Sequence, residues 1–557
     1  MRSKNHILVS TKNNFFIVLG LCLGLFILFQ MIGFDFSKLP GDLGDTRFNL
    51  YILEHFYQFI LGNVDSFWSA PFYYPYQNTI AFSDSHLGSA PIYSLLRILG
   101  LKQTLSLQFW IIIGYLLNYV FSSYVLKKLG LNSISAALGG FLFSFGLPVL
   151  AQQNHIQLTY RFLVPIASYF FWRFAIKPTF STLVVLLTSI TLQFYFSIYI
   201  GFFLILLLLV MCLLFPAFLS PPSEINFLSF WKNRCLFAWE NSSIKERYLF
   251  FLGVSLFVFL MGFLLIPYYI TSKMYGFSRS PEEIVLMLPM PQSYLLADHS
   301  KLWNWIQFLL PAIQLRHEHQ LFIGLSATIL FVLSPFIIKI HPNQKFALLN
   351  IYCVFILVGL TLRIEDFSIY QYFAFLPVFN SIRSISRIIL VLIWPISIVI
   401  SFVVDSYIIK TKKIIHILSI IFLSLLLVLE SLLYNHYTFS TQESQERLTN
   451  YYQYINETNQ NIKDNSIIFI GPEWGELWYL SELDGMLLSQ ELGISTLNGY
   501  SGNFPYEYQS SLFCDQISYR VQNYINFKNI EDPSFFHETV NRVIPINMDQ
   551  CEFFWLK

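Results

Sequence analysis

The sequence predicts an all-α polytopic membrane protein of about eleven transmembrane helices, followed by a small extracytoplasmic α/β domain at the carboxyl end. Three properties of the 557-residue chain predict this class: 55% of its residues are hydrophobic, only 12% are charged, and its mean hydropathy is +0.54. So few charged groups cannot cover that much apolar surface in water. The net charge of +1 also lacks the basic excess of nucleic-acid-binding proteins, so we expect no nucleic acid partner and a lipid bilayer instead.

Eleven apolar segments approach the roughly 20 residues that a helix needs to cross about 30 Å of hydrocarbon. They lie near 13–33, 105–126, 133–151, 162–177, 180–196, 199–219, 248–270, 321–339, 346–362, 386–407 and 414–435. The aromatic-rich pair between Pro178 and Pro216 forms either a hairpin or one long bent segment. No small-residue cleavage site follows Gly33, so the first segment is expected to be an uncleaved anchor rather than a signal peptide.

Basic residues occur in alternate loops, and the positive-inside rule assigns those loops to the cytoplasm. They are Arg2, Lys4, Lys12, Lys127, Lys128, Lys177, Lys232, Arg234, Lys245, Arg247, Lys339, Lys345, Lys410, Lys412 and Lys413. With an odd number of spans, the amino terminus is then cytoplasmic and the carboxyl terminus extracytoplasmic.

The long polar segments fall on the opposite face, which divides the chain into a transmembrane part, 1–435, and a carboxyl-terminal domain, 436–557. The first outside loop, 34–104, is the expected catalytic loop. The tail contains the strand-like run SIIFIG (466–471) and too many Ile, Phe and Trp residues for a disordered linker. It also holds Cys514 and Cys551, which either remain free or pair as a disulfide in an oxidising compartment.

The first outside loop opens with two carboxylates, Asp42 and Asp45, each preceded by a glycine. Because glycine permits tight backbone turns, both carboxylates can converge on one point just above the membrane. Such a pair either shares a divalent cation, Mg²⁺ or Mn²⁺, or supplies a base for an incoming hydroxyl. One of them is equally suited to cap the helix that begins near Thr46, but a cap does not explain both.

Further polar residues in the outer loops are candidates for substrate contact. They are Glu54, Asp84, His86, His155 and Gln157. Glu54 lies two helical turns beyond Arg47, so it either approaches the same cavity or faces solvent from an interfacial helix. Asp84 and His86 are either ligands or turn formers, and His155 is either a substrate contact or a structural histidine.

Two arginines, Arg383 and Arg387, lie one helical turn apart at the outer end of the span 386–407. Two guanidinium groups on one helix face match the geometry of a phosphate or pyrophosphate. The positive-inside rule makes a pair of arginines on the outer face unusual, which favours a phosphate-binding role.

In layout and in several short motifs the chain resembles the GT-C fold membrane glycosyltransferases, and in particular the bacterial YfhO-like multipass proteins. The stretches that carry the resemblance are GDLGDTRFNLYILEH (41–55), SDSHLGSAPIY (83–93), QNHIQLTYRFLVPIA (153–167), FNSIRSISR (379–387) and NGYSGNFP (498–505). The resemblance covers most of the chain in layout, but only these runs in sequence.

The resemblance implies a transferase of the bacterial inner membrane that uses a polyprenyl-phosphate-linked sugar and a glycan, lipid or protein acceptor. It places the catalytic carboxylate at Asp45 or Asp42, and the lipid phosphate at Arg383 and Arg387. The family pattern is often DxD, whereas this chain has DxxD, so the enzyme is either Mg²⁺- or Mn²⁺-dependent or metal-independent. Asp45 would act as the base in an inverting displacement.

Two other classes of function remain open on the sequence alone. A non-catalytic scaffold for envelope assembly needs the spans and the outer domain, but not clustered Asp and Arg residues. A transporter of envelope glycan or lipid needs a polar path across the bilayer, for which the spans offer few groups. The transferase hypothesis requires Asp42 or Asp45 to share an outward-facing cavity with Arg383 or Arg387.

Overall fold

A computed structural model describes residues 2–221, 226–341, 343–376, 379–410, 414–434, 437–458, 462–473, 475–508, 514–548 and 551. For residues 2–13, 340, 409–410, 414–417 and 420 it describes the backbone alone, so the side chains of Arg2, Lys4, Lys12 and Lys410 lie outside the described part, as do Lys412 and Lys413.

Helices form most of the described structure. They are α1 (Arg2–Ile32), α2 (Asp45–Ile60), α3 (Ala90–Ile98), α4 (Gln103–Lys128), α5 (Ser133–Phe145), α6 (Leu147–Leu150), α7 (Leu163–Ile176), α8 (Phe180–Phe196), α9 (Ile198–Leu219), α10 (Phe227–Glu240), α11 (Ile244–Tyr275), α12 (Pro281–Leu286), α13 (Leu325–Ile337), α14 (Gln344–Thr361), α15 (Ile389–Lys410), α16 (Ile414–Glu430), α17 (Thr441–Glu457), α18 (Trp478–Leu492), α19 (Gln516–Lys528) and α20 (Ser534–Val540).

Each of the eleven predicted apolar segments overlaps a helix, and the segment 133–151 contains two, α5 and α6. Within the described residues, seven helical segments are long and apolar enough to cross a membrane: Asn14–Ile32, Gln103–Lys128, Ser133–Leu150, Ile198–Leu219, Ile244–Tyr275, Gln344–Thr361 and Ile385–Ile408. Shorter apolar helices include Phe180–Phe196, Leu325–Ile337 and Ile421–Glu430. The predicted all-α, multi-pass class is therefore confirmed, while the count of eleven spans stays a prediction.

The aromatic-rich pair of segments between Pro178 and Pro216 forms two helices rather than one. Ser197 adopts an extended conformation between α8 and α9, and the two helices pack against each other. The Ser197 backbone breaks the helical hydrogen-bond ladder at this point, so the chain folds back as a hairpin.

Loops with the same predicted sidedness meet at the same end of the helix bundle. At the predicted cytoplasmic end, Asp405 accepts hydrogen bonds from the backbone N–H of Asn132 at 2.8 Å and from Nε2 of His341 at 3.2 Å. At the opposite end, strand β1 (Lys38–Pro40) of the first outer loop pairs antiparallel with β4 (Thr438–Ser440) of the carboxyl-terminal segment. This strand pairing attaches the tail directly to the first outer loop.

Two small sheets complete the described structure. The first is a hairpin of β2 (Arg363–Ile364) and β3 (Phe367–Ser368). The second is a parallel sheet in the order β6 (Ser495–Thr496), β5 (Ile467–Ile470) and β7 (Val543–Ile546).

Strand β5 is the centre of the carboxyl-terminal segment. Its alternate side chains enter two hydrophobic clusters, Ile467 and Phe469 on one face and Ile468 and Ile470 on the other. A strand that is buried on both faces is typical of a parallel sheet between helices. A disulfide links Cys514 to Cys551 within this segment, and their Cα atoms lie 5.4 Å apart.

A buried ion-pair network fixes α18 of this segment on α2. Arg47 of α2 and Asp484 of α18 are both fully buried and form an ion pair, and Arg447 of α17 donates to the other carboxylate oxygen of Asp484 at 2.7 Å. Helix α2 is therefore a buried helix, not a solvated interfacial one. A charge without a partner at this depth would be strongly destabilising, so the network holds the two helices in one relative position.

Candidate functional site

A cavity of about 550 Å³ lies where the predicted outer loops meet the carboxyl-terminal segment. Seven of the residues predicted to contact substrate line it: Asp42, Asp45, Asp84, His155, Gln157, Arg383 and Arg387. They come from four separate parts of the chain, and the fold brings them together. The carboxylates and the arginines therefore share one cavity, as the transferase hypothesis requires.

Asp42 caps the helix that carries Asp45. Its Oδ1 accepts hydrogen bonds from the backbone N–H groups of Gly44 and Asp45, both at 3.0 Å, at the amino end of α2. These are two of the N–H groups that a helix leaves without an internal partner. Burial and the neighbouring charge of Asp45 raise the pKa of Asp42 above its ordinary value. One of the two predicted carboxylates is thus accounted for as a cap.

Asp45 points into the cavity, and both of its carboxylate oxygens accept a hydrogen bond. Oδ2 lies 2.8 Å from Nδ1 of His155, and Oδ1 accepts from the Tyr500 hydroxyl at 2.6 Å. Burial raises the pKa of Asp45, but the hydrogen bonds from His155 and Tyr500 outweigh it, so the pKa lies below its ordinary value. The side chain is 26% exposed, so an ionised, oriented carboxylate faces the cavity at neutral pH.

His155 connects Asp45 to a buried ion pair between Arg387 and Glu318. Arg387 donates to both oxygens of Glu318, from Nε at 3.0 Å and from Nη2 at 2.5 Å. Nε2 of His155 lies 2.9 Å from Nη2 of Arg387 and 3.2 Å from Oε1 of Glu318. When the His155 ring is neutral, its Nε2 accepts a hydrogen bond from Arg387. When the ring is charged, Nε2 donates a hydrogen bond to Glu318, so Nε2 has a partner in each protonation state.

The titration of this cluster follows from its charges. Burial and Arg387 lower the pKa of His155, but Glu318 and Asp45 raise it more, and the net pKa lies above its ordinary value. Burial raises the pKa of Glu318, but Arg387 and His155 bring it well below its ordinary value. Glu318 thus stays ionised and neutralises Arg387.

Arg383 and Arg279 form a second basic wall of the cavity. Nη1 of Arg383 donates to Oε1 of Glu283 at 3.0 Å, and Nη1 of Arg279 reaches the same oxygen at 3.4 Å. Arg279 also donates to the carbonyl oxygen of Gly502 at 2.6 Å. The side chain of Arg383 is 36% exposed, compared with 7% for Arg387.

Arg383 lies before the helical turn Ile385–Ile388 that contains Arg387, so the two arginines do not share a helix face, and their joint role in binding phosphate stays a prediction. Both arginines line the cavity, but they bind different carboxylates, and Arg387 already has a bidentate partner in Glu318. Arg383 shares a carboxylate oxygen, Oε1 of Glu283, with Arg279. The sequence separation of 104 residues conceals this pairing.

Asp84 and Gln157 occupy polar positions on the cavity wall. The carboxylate of Asp84 accepts from the backbone N–H of Ile198 and from the Ser197 hydroxyl, both at 3.3 Å, at the start of α9. Burial raises the pKa of Asp84 to about 6. Gln157 accepts a hydrogen bond from Asn49 at 3.2 Å.

Glu54 and His86 do not line the cavity, which corrects the expectation that they contact substrate. Glu54 lies nine residues beyond Asp45 on α2, about 13.5 Å along the axis, and accepts from Tyr93 at 2.6 Å and Arg97 at 3.0 Å. His86 is only 2% exposed, and its Nε2 lies 2.6 Å from Oδ1 of Asn49. Burial lowers the pKa of His86 to about 3, as expected for a neutral structural histidine.

Sequence reasoning missed two residues that complete the site, Glu318 and Tyr500. Glu318 lies in the run Arg316–His319, and the four consecutive titratable residues of this predicted outer loop could have indicated a functional role. Tyr500 stands in NGYSGNFP, a run that carried the family resemblance but was assigned no role. Neither signal identifies a partner, because the partners lie 69 and 455 residues away.

The Mg²⁺ or Mn²⁺ site predicted at Asp42 and Asp45 stays a prediction. Three of their four carboxylate oxygens already accept hydrogen bonds, from backbone N–H groups, His155 and Tyr500. Among the described residues, no group of three or more His, Cys, Asp or Glu side chains is placed to hold a metal ion. Because those oxygens are already engaged, we derive no catalytic step through a cation.

No family model matches the chain, and no curated protein sequence matches it. The functional hypothesis therefore depends on the residues of the cavity and on the motifs that resemble the GT-C transferases.

Proposed function

We propose that this protein is a membrane glycosyltransferase of the GT-C type, which moves a sugar from a polyprenyl-phosphate donor to an extracytoplasmic acceptor. The observation that carries the proposal is the shared cavity, which the ionised Asp45 lines together with the partly buried arginines Arg279 and Arg383. Transfer of a sugar from a lipid phosphate to a hydroxyl group requires a base and an anion-binding wall in one cavity.

In the proposed reaction, Asp45 accepts the proton of the acceptor hydroxyl as its oxygen bonds to the anomeric carbon. The bond from that carbon to the phosphate oxygen breaks, and polyprenyl phosphate leaves with the electron pair. A single displacement with one base inverts the anomeric configuration. His155 and Tyr500 hold the carboxylate by its two oxygens, so the direction in which it accepts the proton is fixed before substrate binds.

The leaving phosphate is assigned to Arg279 and Arg383. Both guanidinium groups share Glu283, and Arg383 is the more accessible of the two cavity arginines first predicted to bind phosphate. A phosphate offers bidentate acceptors for which the single oxygen of Glu283 is a weaker match. Arg387 acts indirectly in this scheme, because its bond to Nε2 fixes the ring of His155.

The proposal includes eleven spans in the cell (inner) membrane, with a cytoplasmic amino terminus and an extracytoplasmic carboxyl terminus. It is supported by the way in which the predicted outer loops gather around the cavity, while predicted cytoplasmic loops meet at Asp405. The donor lipid would then have its phosphate at the outer surface of the bilayer.

The test compares the lipid extract and surface glycan of three strains: wild type, a deletion strain, and a strain carrying Asp45→Asn at matched protein level. We expect the deletion strain and Asp45→Asn both to accumulate the same polyprenyl-linked sugar and to lose the same glycan sugar. A deletion strain that changes the glycan while Asp45→Asn matches wild type would identify a scaffold and overturn the proposal. Unchanged lipids and glycans in both would also overturn it.

A further inference from the structure

Four aromatic side chains of the carboxyl-terminal segment form a continuous ridge beside the cavity. They are Trp478, Tyr479, Tyr500 and Phe504, which we call the aromatic ridge. The ring centroids lie 6.1 Å apart for Trp478 and Tyr500, 5.9 Å for Trp478 and Phe504, and 5.8 Å for Tyr479 and Tyr500. Trp478 is 43% exposed and Phe504 is 39% exposed. Large aromatic rings left exposed together on a surface are typical of a binding site.

A second, open groove of about 450 Å³ meets the cavity at Asp42, which lines both. Tyr500 lines the cavity and donates its hydroxyl hydrogen bond to Asp45, whereas Tyr479 lines the groove. The remaining wall of the groove includes Tyr437, Thr438 and Leu477. The aromatic ridge therefore reaches from the groove, at Tyr479, to the cavity, where Tyr500 contacts the Asp45 carboxylate.

The ridge is held rigidly in this position. Trp478 and Tyr479 begin α18, whose Asp484 forms the buried ion pair with Arg47 of α2. The backbone of Gly44 packs directly under Tyr479, since a Cβ at Gly44 would lie 3.2 Å from its ring. A preformed platform of this kind needs little ordering when a ligand binds.

We propose that the aromatic ridge binds the acceptor of the transfer reaction, and that this acceptor is a neutral glycan whose pyranose rings stack on Trp478 and Phe504. The C–H face of a pyranose carries partial positive charge and packs on the electron-rich face of an aromatic ring. This inference rests on the proposed function and deepens it, because it names the class of acceptor.

The charges of the groove favour a neutral glycan over an anionic lipid. The ionised groups that act on the Tyr479 hydroxyl are the carboxylates of Asp42 and Asp45, and its pKa is raised by burial and by both of them. Within the described residues, no lysine or arginine lines the groove. An anionic headgroup would be repelled here, whereas sugar hydroxyls can donate to carboxylates and to the Tyr479 hydroxyl oxygen.

The test measures binding without catalysis, by saturation-transfer NMR on the full-length protein in nanodiscs. The probes are three neutral trisaccharides: cellotriose, chitotriose and mannotriose. We expect transfer from the protein to the ring protons of at least one probe. That signal should fall at least fivefold in Trp478→Ala and in Phe504→Leu, and be retained in part in Trp478→Phe.

The matched control is Trp305→Ala, because Trp305 is 49% exposed and lies in an outer loop away from both the cavity and the groove. This variant should bind like wild type. The inference is overturned if no trisaccharide binds to the wild-type protein, or if Trp478→Ala and Phe504→Leu bind as wild type does. Binding of an aromatic peptide in place of the sugars, lost in Trp478→Ala, would assign the ridge to a protein acceptor instead.

The outcome is separable from that of the proposed function. Trisaccharide binding that depends on Trp478, in a protein without transfer activity, supports the ridge and refutes the transferase. Transfer activity with an acceptor KM that is unchanged in Trp478→Ala supports the transferase and refutes the ridge.

Discussion

The two carboxylates of the first outer loop should respond very differently to the same substitution. Asp45→Asn keeps an oxygen for the Tyr500 hydroxyl but removes the charge that accepts the proton, and the loss of a general base costs about 10²–10⁴-fold in rate. That range corresponds to about 2.7–5.5 kcal/mol in activation free energy. Asp42→Asn keeps the oxygen that accepts from Gly44 and Asp45, so the helix cap survives and the rate should fall less than about tenfold.

The assay is sugar transfer in membranes from cells producing each variant, supplied with the polyprenyl-phosphate sugar that accumulates in the deletion strain. Rates are normalised to the amount of folded protein, measured by fluorescence-detected size exclusion. Equal losses in Asp42→Asn and Asp45→Asn would refute the division into cap and base. A greater loss in Asp42→Asn would assign the base to Asp42 and contradict the geometry described above.

Three further predictions concern the hydrogen bond from Tyr500 to Asp45, the buried ion pair of Asp484, and removal of divalent cations. Tyr500→Phe removes a hydrogen bond that lowers the pKa of Asp45, so the pKa of Asp45 should rise in this variant. Activity that requires the ionised carboxylate should then be lost at a higher pH than in wild type as the pH falls. An acidic limb of the pH–rate profile that does not move would contradict this. Asp484→Asn leaves Arg47 buried without a carboxylate and should lower the unfolding free energy by about 3–5 kcal/mol, seen as a lower thermal midpoint in detergent. Glu476→Gln, which alters a partly exposed pair with Arg447, should cost about 1 kcal/mol or less and serves as its control. EDTA should leave transfer unchanged, since three of the four oxygens of Asp42 and Asp45 already accept hydrogen bonds; loss of activity that Mg²⁺ or Mn²⁺ restores would show that a cation displaces those bonds.

The position of every predicted apolar segment could be read from the sequence, because hydrophobicity is a local property of about 20 consecutive residues. The alternation of basic loops likewise anticipates which loops meet at each end of the bundle. The strand of SIIFIG was also predicted, and it forms β5 (Ile467–Ile470). Short helices such as Leu325–Ile337 limit this approach, since their length alone does not establish a crossing.

The candidate site was predicted in its residue types but not in its contacts. Asp42 and Asp45 look alike in sequence, and the difference between cap and cavity carboxylate depends on their positions relative to the first turn of α2. Glu54 lies on the same helix as Asp45, but its side chain turns to Tyr93 and Arg97 instead of the cavity. Helical spacing shows which residues share a face, and it does not show what covers that face.

The sequence by itself determined the membrane class, the placement of the apolar helices and the outer loops that hold polar groups, because these depend on neighbouring residues. The tertiary structure decided the partner of each charge. Asp45 bonds to His155 and Tyr500, which are 110 and 455 residues away, and Arg387 bonds to Glu318, which is 69 residues away. Electrostatic roles depend on distances of about 3 Å between side chains, and only the packing of helices and loops brings distant segments that close.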